Sequence, residues 1–189
     1  SPTLPSARGQ GEPLTGRLTP AAGATFVGLA AGEQGDRYLV ASDAGYGFVT
    51  TLGDMQTRQK AGKSLLTVPK GCVALAPVPV SQIEDRYVVS VSNEGRLLIF
   101  PLRDLPQMAR GKGNKIMNIP SARAAAREET MIDVAVLAEA DLLTIYSGKR
   151  HITLKFSDLE HYRGERARRG LKLPRGFQKV DRLEVTFRE

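Results

Sequence analysis

The chain has 189 residues, 41% of them hydrophobic, with one cysteine, no tryptophan, a net charge of +7 and a pI near 9.8. That length allows one substantial core or a short array of repeated units, while a lone cysteine excludes a disulfide framework; with no signal peptide and no apolar run approaching ~18 residues, a soluble cytoplasmic protein without a membrane partner is expected. The positive excess points to a polyanionic partner and is uneven, since residues 1–144 carry 15 Lys and Arg against 14 Asp and Glu, whereas residues 145–189 carry 12 against 6.

Residues 1–12 read as an extended arm holding a basic, glycine-bearing loop, Arg8-Gly9-Gln10-Gly11, and residues 14–18 as an orphan strand that ends a truncated unit. The chain opens in mid-repeat and without an initiator Met, so an excised fragment is expected. Residues 25–31 begin the first full repeat and 32–36 form a turn. Strands are predicted over 37–42 and 46–52, joined by Ala41-Ser42-Asp43-Ala44-Gly45 with glycine where positive φ is wanted. Residues 54–58 predict a single helical turn before the loop Lys60-Ala61-Gly62-Lys63-Ser64 and a strand over 64–68.

The same grammar then returns. Asp85-Arg86-Tyr87-Val88-Val89 follows Asp36-Arg37-Tyr38-Leu39-Val40 by 49 residues, and a second hairpin turn, Val91-Ser92-Asn93-Glu94-Gly95, follows at once. Cys72 reads as a buried small hydrophobe, and Pro77 and Pro79 place the first strand of this repeat at an edge or a bulge. The loop Arg110-Gly111-Lys112-Gly113-Asn114-Lys115 runs straight into Ile116-Met117-Asn118-Ile119. Residues 121–129 predict a short inter-blade helix with Ser121 as its cap. The third repeat, residues 131–173, is looser and ends in the loop Arg166-Ala167-Arg168-Arg169-Gly170. Residues 180–187 alternate with period two, which predicts a half-buried closing strand.

Prolines 69, 120 and 174 close successive units at spacings of 51 and 54 residues. A repeat of about fifty residues with four short strands belongs to the radial all-β architectures. The expected fold is therefore all-β, with propeller-like repeats in an open array of three blades plus partial ends. The units run over residues 1–23, 24–70, 71–129 and 130–175, with a terminal strand over 176–189.

Glycine lets backbone N–H groups approach an anion, and Arg and Lys add charge-assisted donors. Four basic loops at one place in the repeat therefore nominate Arg8, Lys60, Lys63, Arg110, Lys112, Lys115, Arg166, Arg168 and Arg169 as phosphate contacts, with Arg58, Lys149, Arg150, Lys172 and Arg175 beside them. Absence of tryptophan favours contact with a backbone over base stacking. The alternative is a blade whose charges are merely solvated, which the recurrence weighs against. Ala61-Gly62-Lys63-Ser64 resembles the end of a phosphate-binding loop, but Thr57 stands where that motif needs glycine and no helix is predicted after it. His151 and His161 lack ligand partners at zinc spacing. Asp54, Asp104 and Asp158 recur once per unit as turn-capping residues do, and Tyr38 and Tyr87 hold equivalent packing positions. Tyr46, Tyr146 and Tyr162 lack an activating constellation. No enzyme active site, metal or cofactor is expected.

The stretches Leu4-Pro5-Ser6-Ala7-Arg8-Gly9-Gln10-Gly11, Ala41-Ser42-Asp43-Ala44-Gly45-Tyr46-Gly47-Phe48 and Gly111-Lys112-Gly113-Asn114-Lys115-Ile116 resemble the C-terminal domain of the A subunits of bacterial type IIA topoisomerases, topoisomerase IV and gyrase. So do Gly164-Glu165-Arg166 and Val180-Asp181-Arg182-Leu183-Glu184-Val185, and the likeness covers essentially the whole chain. It implies a β-pinwheel, a propeller-like array whose neighbouring blades exchange strands, with basic loops on the outer rim. It also implies binding and bending of duplex DNA without sequence preference, presented to a catalytic core for strand passage in decatenation and supercoil relaxation. Catalysis in that family uses a tyrosine in the N-terminal part of the A subunit, with ATP and Mg2+ elsewhere in an A2B2 holoenzyme of A and B subunits at the nucleoid. The rival reading, from another class of function, is a protein-interaction propeller whose basic C-terminal blade docks an acidic chromosome-organising partner. The Gln-Arg-Arg-Gly-Gly-Lys-Gly type box of gyrase has only degenerate matches, Arg8-Gly9-Gln10-Gly11 and Arg110-Gly111-Lys112-Gly113. Modest bending and the topoisomerase IV branch are expected over full wrapping.

Overall fold

Two consecutive stretches rich in β-branched and aromatic residues, separated by a glycine turn, form the first hairpin of the computed structural model, which describes residues 36–188. The arm, the loop with Arg8, the orphan strand and the start of the first repeat over 25–31 lie outside the described residues. Strand β1 (Arg37–Ala41) pairs antiparallel with β2 (Tyr46–Thr51), Val40 standing opposite Phe48. Helix α1 (Leu52–Lys60) follows at once, and then β3 (Val78–Val80). The second hairpin is β4 (Tyr87–Ser92) with β5 (Arg96–Pro101); after it come β6 (Asn114–Lys115) and α2 (Ser121–Ala125). Strand β7 (Met131–Leu137) leads to the third hairpin, β8 (Leu142–Ser147) and β9 (Arg150–Leu154). The short helix α3 (Phe156–Leu159), β10 (Leu171–Lys172) and β11 (Arg182–Thr186) complete the described chain.

The sheets do not follow the repeats. Their orders are β3-β1-β2-β6, β10-β5-β4-β7 and β11-β8-β9, so each hairpin is flanked by strands contributed by the residues that come after it. This is the strand exchange of a β-pinwheel. β3 is an edge strand, and Pro79, which has no N–H to donate, sits in it opposite Tyr38. The terminal alternation forms β11 on β8, with Leu183 buried and Val185 half-buried.

Two sheet faces explain why the central strands read as unbroken apolar runs. Val88, Leu98 and Phe100 face a core shared with Leu39 and Val49 of the first sheet and with Ile116, just past β6. Their alternates Val89, Val91, Leu97 and Ile99 face a second core with Leu143, Ile145 and Leu183 of the third. β7 divides likewise, Val134 and Val136 to one side and Ala135 and Leu137 to the other. The outer face of the first sheet buries Tyr38, Val40 and Phe48 under Leu52 and Met55 of α1 and under Leu65 and Leu66.

Each hairpin turn is fastened to the segment that leads to the next repeat. Asp43 accepts from the Val73 N–H at 3.0 Å and Asn93 from the Thr130 N–H at 3.0 Å. In the third hairpin Asp181 accepts from the Gly148 N–H at 2.6 Å. Of the three recurring aspartates only Asp158 caps a turn, accepting from the Lys155 N–H at 2.9 Å; Thr51 caps α1 in place of Asp54, and the short turn at residues 102–104 has no side-chain cap.

Four local expectations are corrected. Residues 54–58 belong to a nine-residue helix, started by Thr51, whose Oγ1 accepts from the Asp54 N–H at 3.0 Å. No strand forms over 64–68: Leu65 and Leu66 are buried side by side instead of alternating, and one parallel bridge, Leu66 with Gly111, is all the pairing there. α2 has five residues and Pro120, not Ser121, at its N-cap; it stops before Arg127, which takes φ 64° so that its guanidinium reaches Asp43 at 2.7 Å. Cys72 is half-buried against the first core.

No helix among the described residues is long and apolar enough to cross a membrane. Phe100 is fully buried between the first two sheets, and Phe100→Ala should cost about 3–5 kcal/mol through lost burial and the cavity left behind. Urea unfolding followed by far-ultraviolet circular dichroism gives this value directly; a loss below about 1 kcal/mol would show that the shared core does not hold the sheets together.

Candidate nucleic-acid interface

The three basic loops within the described residues become one band. The Gly111 N–H donates to the Leu65 carbonyl at 3.0 Å and the Thr67 N–H to the Gly111 carbonyl at 2.8 Å, which joins the first loop to the second. The Ala167 N–H donates to Ile116 O at 3.0 Å and the Asn118 N–H to Arg168 O at 2.9 Å, which joins the second to the third. The band runs along the sheet edges where β6 pairs with β2 and β10 with β5.

The glycines of these loops are used by the fold. Gly62 closes α1: its N–H donates to Gln59 O at 3.0 Å and that of Lys63 to Arg58 O at 2.9 Å, the paired bonds of a Schellman cap with Gly62 at φ 68°. The negative end of the helix dipole therefore points at this loop, so only side chains can attract an anion there. At Gly113, φ is 86° and a Cβ would collide with the Gly47 carbonyl, because β6 crosses β2 at that point. The expectation that loop glycines free backbone N–H groups for an anion is thus replaced, since the N–H groups of Gly62, Lys63 and Gly111 are all taken by carbonyls.

The nominated cations divide by what they touch. Lys60, Lys63, Arg110, Lys112, Lys149, Arg150, Lys172 and Arg175 are exposed and have no carboxylate partner among the described residues. Arg58 folds back and donates to Ser64 O at 2.9 and 3.2 Å. Arg166 donates to Lys115 O at 2.7 Å and so ties the third loop to β6. Arg168 pairs with Glu165 at 2.9 Å, both side chains mostly in water, a pair worth no more than about 1 kcal/mol and open to competition. Arg169 pairs with the buried Glu129 at 3.0 Å and donates to Asn118 O at 3.1 Å. Arg8 lies outside the described residues.

Sequence reasoning missed Tyr46. The Lys112 Nζ sits 4.4 Å from its ring centroid and the Lys115 Nζ 5.8 Å, while Lys115 also donates to Asn118 Oδ1 at 2.8 Å. Cations over the face of an aromatic ring are attracted by its quadrupole, so Tyr46 holds two of the band's ammonium groups side by side. The signal was the register, Tyr46 opposite Lys115, which strand exchange hides from a linear reading. Two other tyrosines serve other contacts: Tyr87 donates to Glu139 and Tyr146 to Glu184. Burial and the Glu139 bond raise the Tyr87 pKa, and the Glu184 bond with burial raises that of Tyr146. No group of three His, Cys, Asp or Glu among the described residues is placed to hold a metal.

The family described as DNA gyrase C-terminal domain, beta-propeller, matches residues 36–75 and 86–122. The A subunit of DNA topoisomerase 4 from Pseudomonas aeruginosa is 54% identical over 183 residues, 97% of this chain and 24% of that protein. The Escherichia coli K12 protein of the same name is 48% identical over the same shares. The chain spans about a quarter of the length of these curated relatives. Among solved structures, that of the E. coli ParC C-terminal domain superposes with a TM-score of 0.76 at 45% identity, covering 98% of this chain and 74% of that one. The DNA gyrase A C-terminal domain shares the fold at a TM-score of 0.58 and 20% identity, covering 77% of this chain and 47% of that one.

The two kinds of loop glycine should respond differently to substitution. Gly62→Ala has open space and should cost about 1 kcal/mol from backbone strain alone. Gly113→Ala adds a collision with β2 and should cost at least about 3 kcal/mol. Equal, small losses in thermal melts of both variants would show that β6 does not hold its place on β2.

Proposed function

The chain belongs to the C-terminal domain family of the topoisomerase IV and gyrase A subunits, and from that membership we propose that it is a duplex-DNA binding and bending module without sequence preference. In a complete A subunit it would hold DNA for strand passage by a catalytic core carried elsewhere, in decatenation and relaxation of supercoils. The reacting tyrosine would belong to the N-terminal part of that polypeptide, and ATP and Mg2+ to the rest of an A2B2 holoenzyme acting on the nucleoid in the cytoplasm. This chain needs neither cofactor to bind.

One observation carries the reading. Exposed cations without carboxylate partners among the described residues line a band that backbone hydrogen bonds keep in fixed order across successive sheets. Charges spaced along a rim match a phosphate backbone followed over several base pairs, and their contacts read no base. Lys60, Lys63, Arg110, Lys112 and Lys115 form the grip on the first two loops, with Arg168 beyond them. Lys149, Arg150, Lys172 and Arg175 extend it toward the third sheet, and Arg8 would extend it at the other end. Bending a 20–30 bp site costs roughly 1–6 kcal/mol, which contacts on separate sheets offset. Lacking an intact gyrase-type box, the chain would bend DNA modestly and leave full wrapping to gyrase.

Filter binding of the 189-residue chain to unrelated duplexes of equal length tests the proposal. Neutralising about six phosphates gives a log–log salt slope near about −5, and Lys63→Ala or Lys112→Ala should each lower its magnitude by about one with the melting temperature nearly unchanged. Strong discrimination between the duplexes, or a flat salt dependence, would sink the proposal. The latter would leave the basic C-terminal face as a docking surface for an acidic chromosome-organising protein.

A further inference from the structure

The first two sheets carry a cation at the same rim position, in opposite settings. Asn114 pairs with Gly47 and Leu171 with Leu97, and Gly47 and Leu97 each lie two residues past a turn glycine, Gly45 and Gly95. Two residues before Asn114 and Leu171 stand Lys112 and Arg169, which are therefore equivalent. Lys112 is exposed above the Tyr46 ring. In the second sheet Arg96 occupies the place of Tyr46 and donates to Gly170 O at 3.0 Å, so no aromatic platform exists there.

Arg169 instead faces Glu129, whose side chain is 1% exposed. The register of this contact is also fixed by equivalent bonds, since the Asp43 N–H donates to Val73 O and the Asn93 N–H to Thr130 O. Cys72, immediately before Val73, is thus the counterpart of Glu129, and the first sheet has a thiol where the second has a carboxylate. Arg123 lies 3.4 Å from the same Glu129 oxygen but is shared with Glu94 at 2.6 Å and Glu128 at 3.6 Å. The other Glu129 oxygen is buried without a hydrogen-bond partner. A carboxylate so far removed from water depends on its cations, and a phosphate that drew Arg169 away would leave that charge poorly compensated.

We infer that Glu129 withholds Arg169 from the DNA-contacting set, so that the grip at the second sheet is weaker than at the first. The inference rests on the DNA-binding proposal and adds to it a residue that sets how much of the rim's charge DNA can use.

The test compares wild type, Glu129→Gln and the double variant Glu129→Gln/Arg169→Gln in duplex filter binding between about 50 and 200 mM salt. Freeing Arg169 should steepen the log–log slope of Glu129→Gln by about 0.9, so that it loses about 3.5-fold more affinity than wild type over that range. The double variant, in which an amide pair replaces the ion pair, should return to the wild-type slope. Should Glu129→Gln prove too unstable to assay, the double variant decides: a slope shallower than wild type by about 0.9 would mean that Arg169 already contacts DNA, and overturns the inference. An unchanged slope in a folded Glu129→Gln chain overturns it as well. Wild-type binding with no salt dependence would overturn the DNA proposal itself, which is a separate outcome.

Discussion

The constraint behind this structure is that no hairpin completes its own sheet. A two-stranded hairpin alone is marginal in water, and here each of the first two hairpins acquires both flanking strands from the residues that follow it, β3 and β6 for the first and β7 and β10 for the second. The third receives β11. The chain must therefore travel from one edge of a sheet, through the next hairpin, and back to the opposite edge of the first. The returning segment is the basic loop. Its position on the rim is a consequence of sheet completion, and the same crossing puts the ammonium groups of Lys112 and Lys115 over Tyr46.

Charge on the rim is accordingly of two kinds. Some cations bind the array together: Arg166 reaches back to β6, Arg169 to the linker before β7, and Arg127 to the first turn through Asp43, whose hydrogen bond raises the guanidinium's already high pKa. Others project from helix ends and turns, with the charged tip in water. Formal charge counts the two kinds alike, and a polyanion does not. The C-terminal quarter, richest in cations, commits Arg169 to the buried Glu129, while Arg163 and Arg168 pair with Glu160 and Glu165 at the surface.

Much of the fold was legible because the repeat is written in residues with strong local meaning. The Asp-Arg-Tyr start of β1 and β4, the turn glycines and the period-two pattern of β11 all lie where the sequence put them. What failed was local form within the returning segments. Leu65 and Leu66 looked like a strand, but tertiary burial of both residues against α1 overrode alternation. The motif Gly62-Lys63 looked like an anion cradle because a helix cap and an anion loop use the same residue types, and only the preceding turns of helix separate them. Tyr46 and Glu129 were invisible for a simpler reason. Their partners Lys112 and Arg169 lie 66 and 40 residues away, and pairing across an exchanged strand leaves no mark at short range.

Among the described residues, strands are borrowed from downstream, and this has a consequence for synthesis on the ribosome. The first sheet cannot close until residue 115 has left the exit tunnel, nor the second until residue 172, although their hairpins end at residues 51 and 101. The nascent chain thus trails an unfinished sheet, its far edge unpaired and open to pairing with another chain. Maturation proceeds from the N-terminal side with a lag of about one repeat, and the segment that ends each exposure is the one that carries the rim cations.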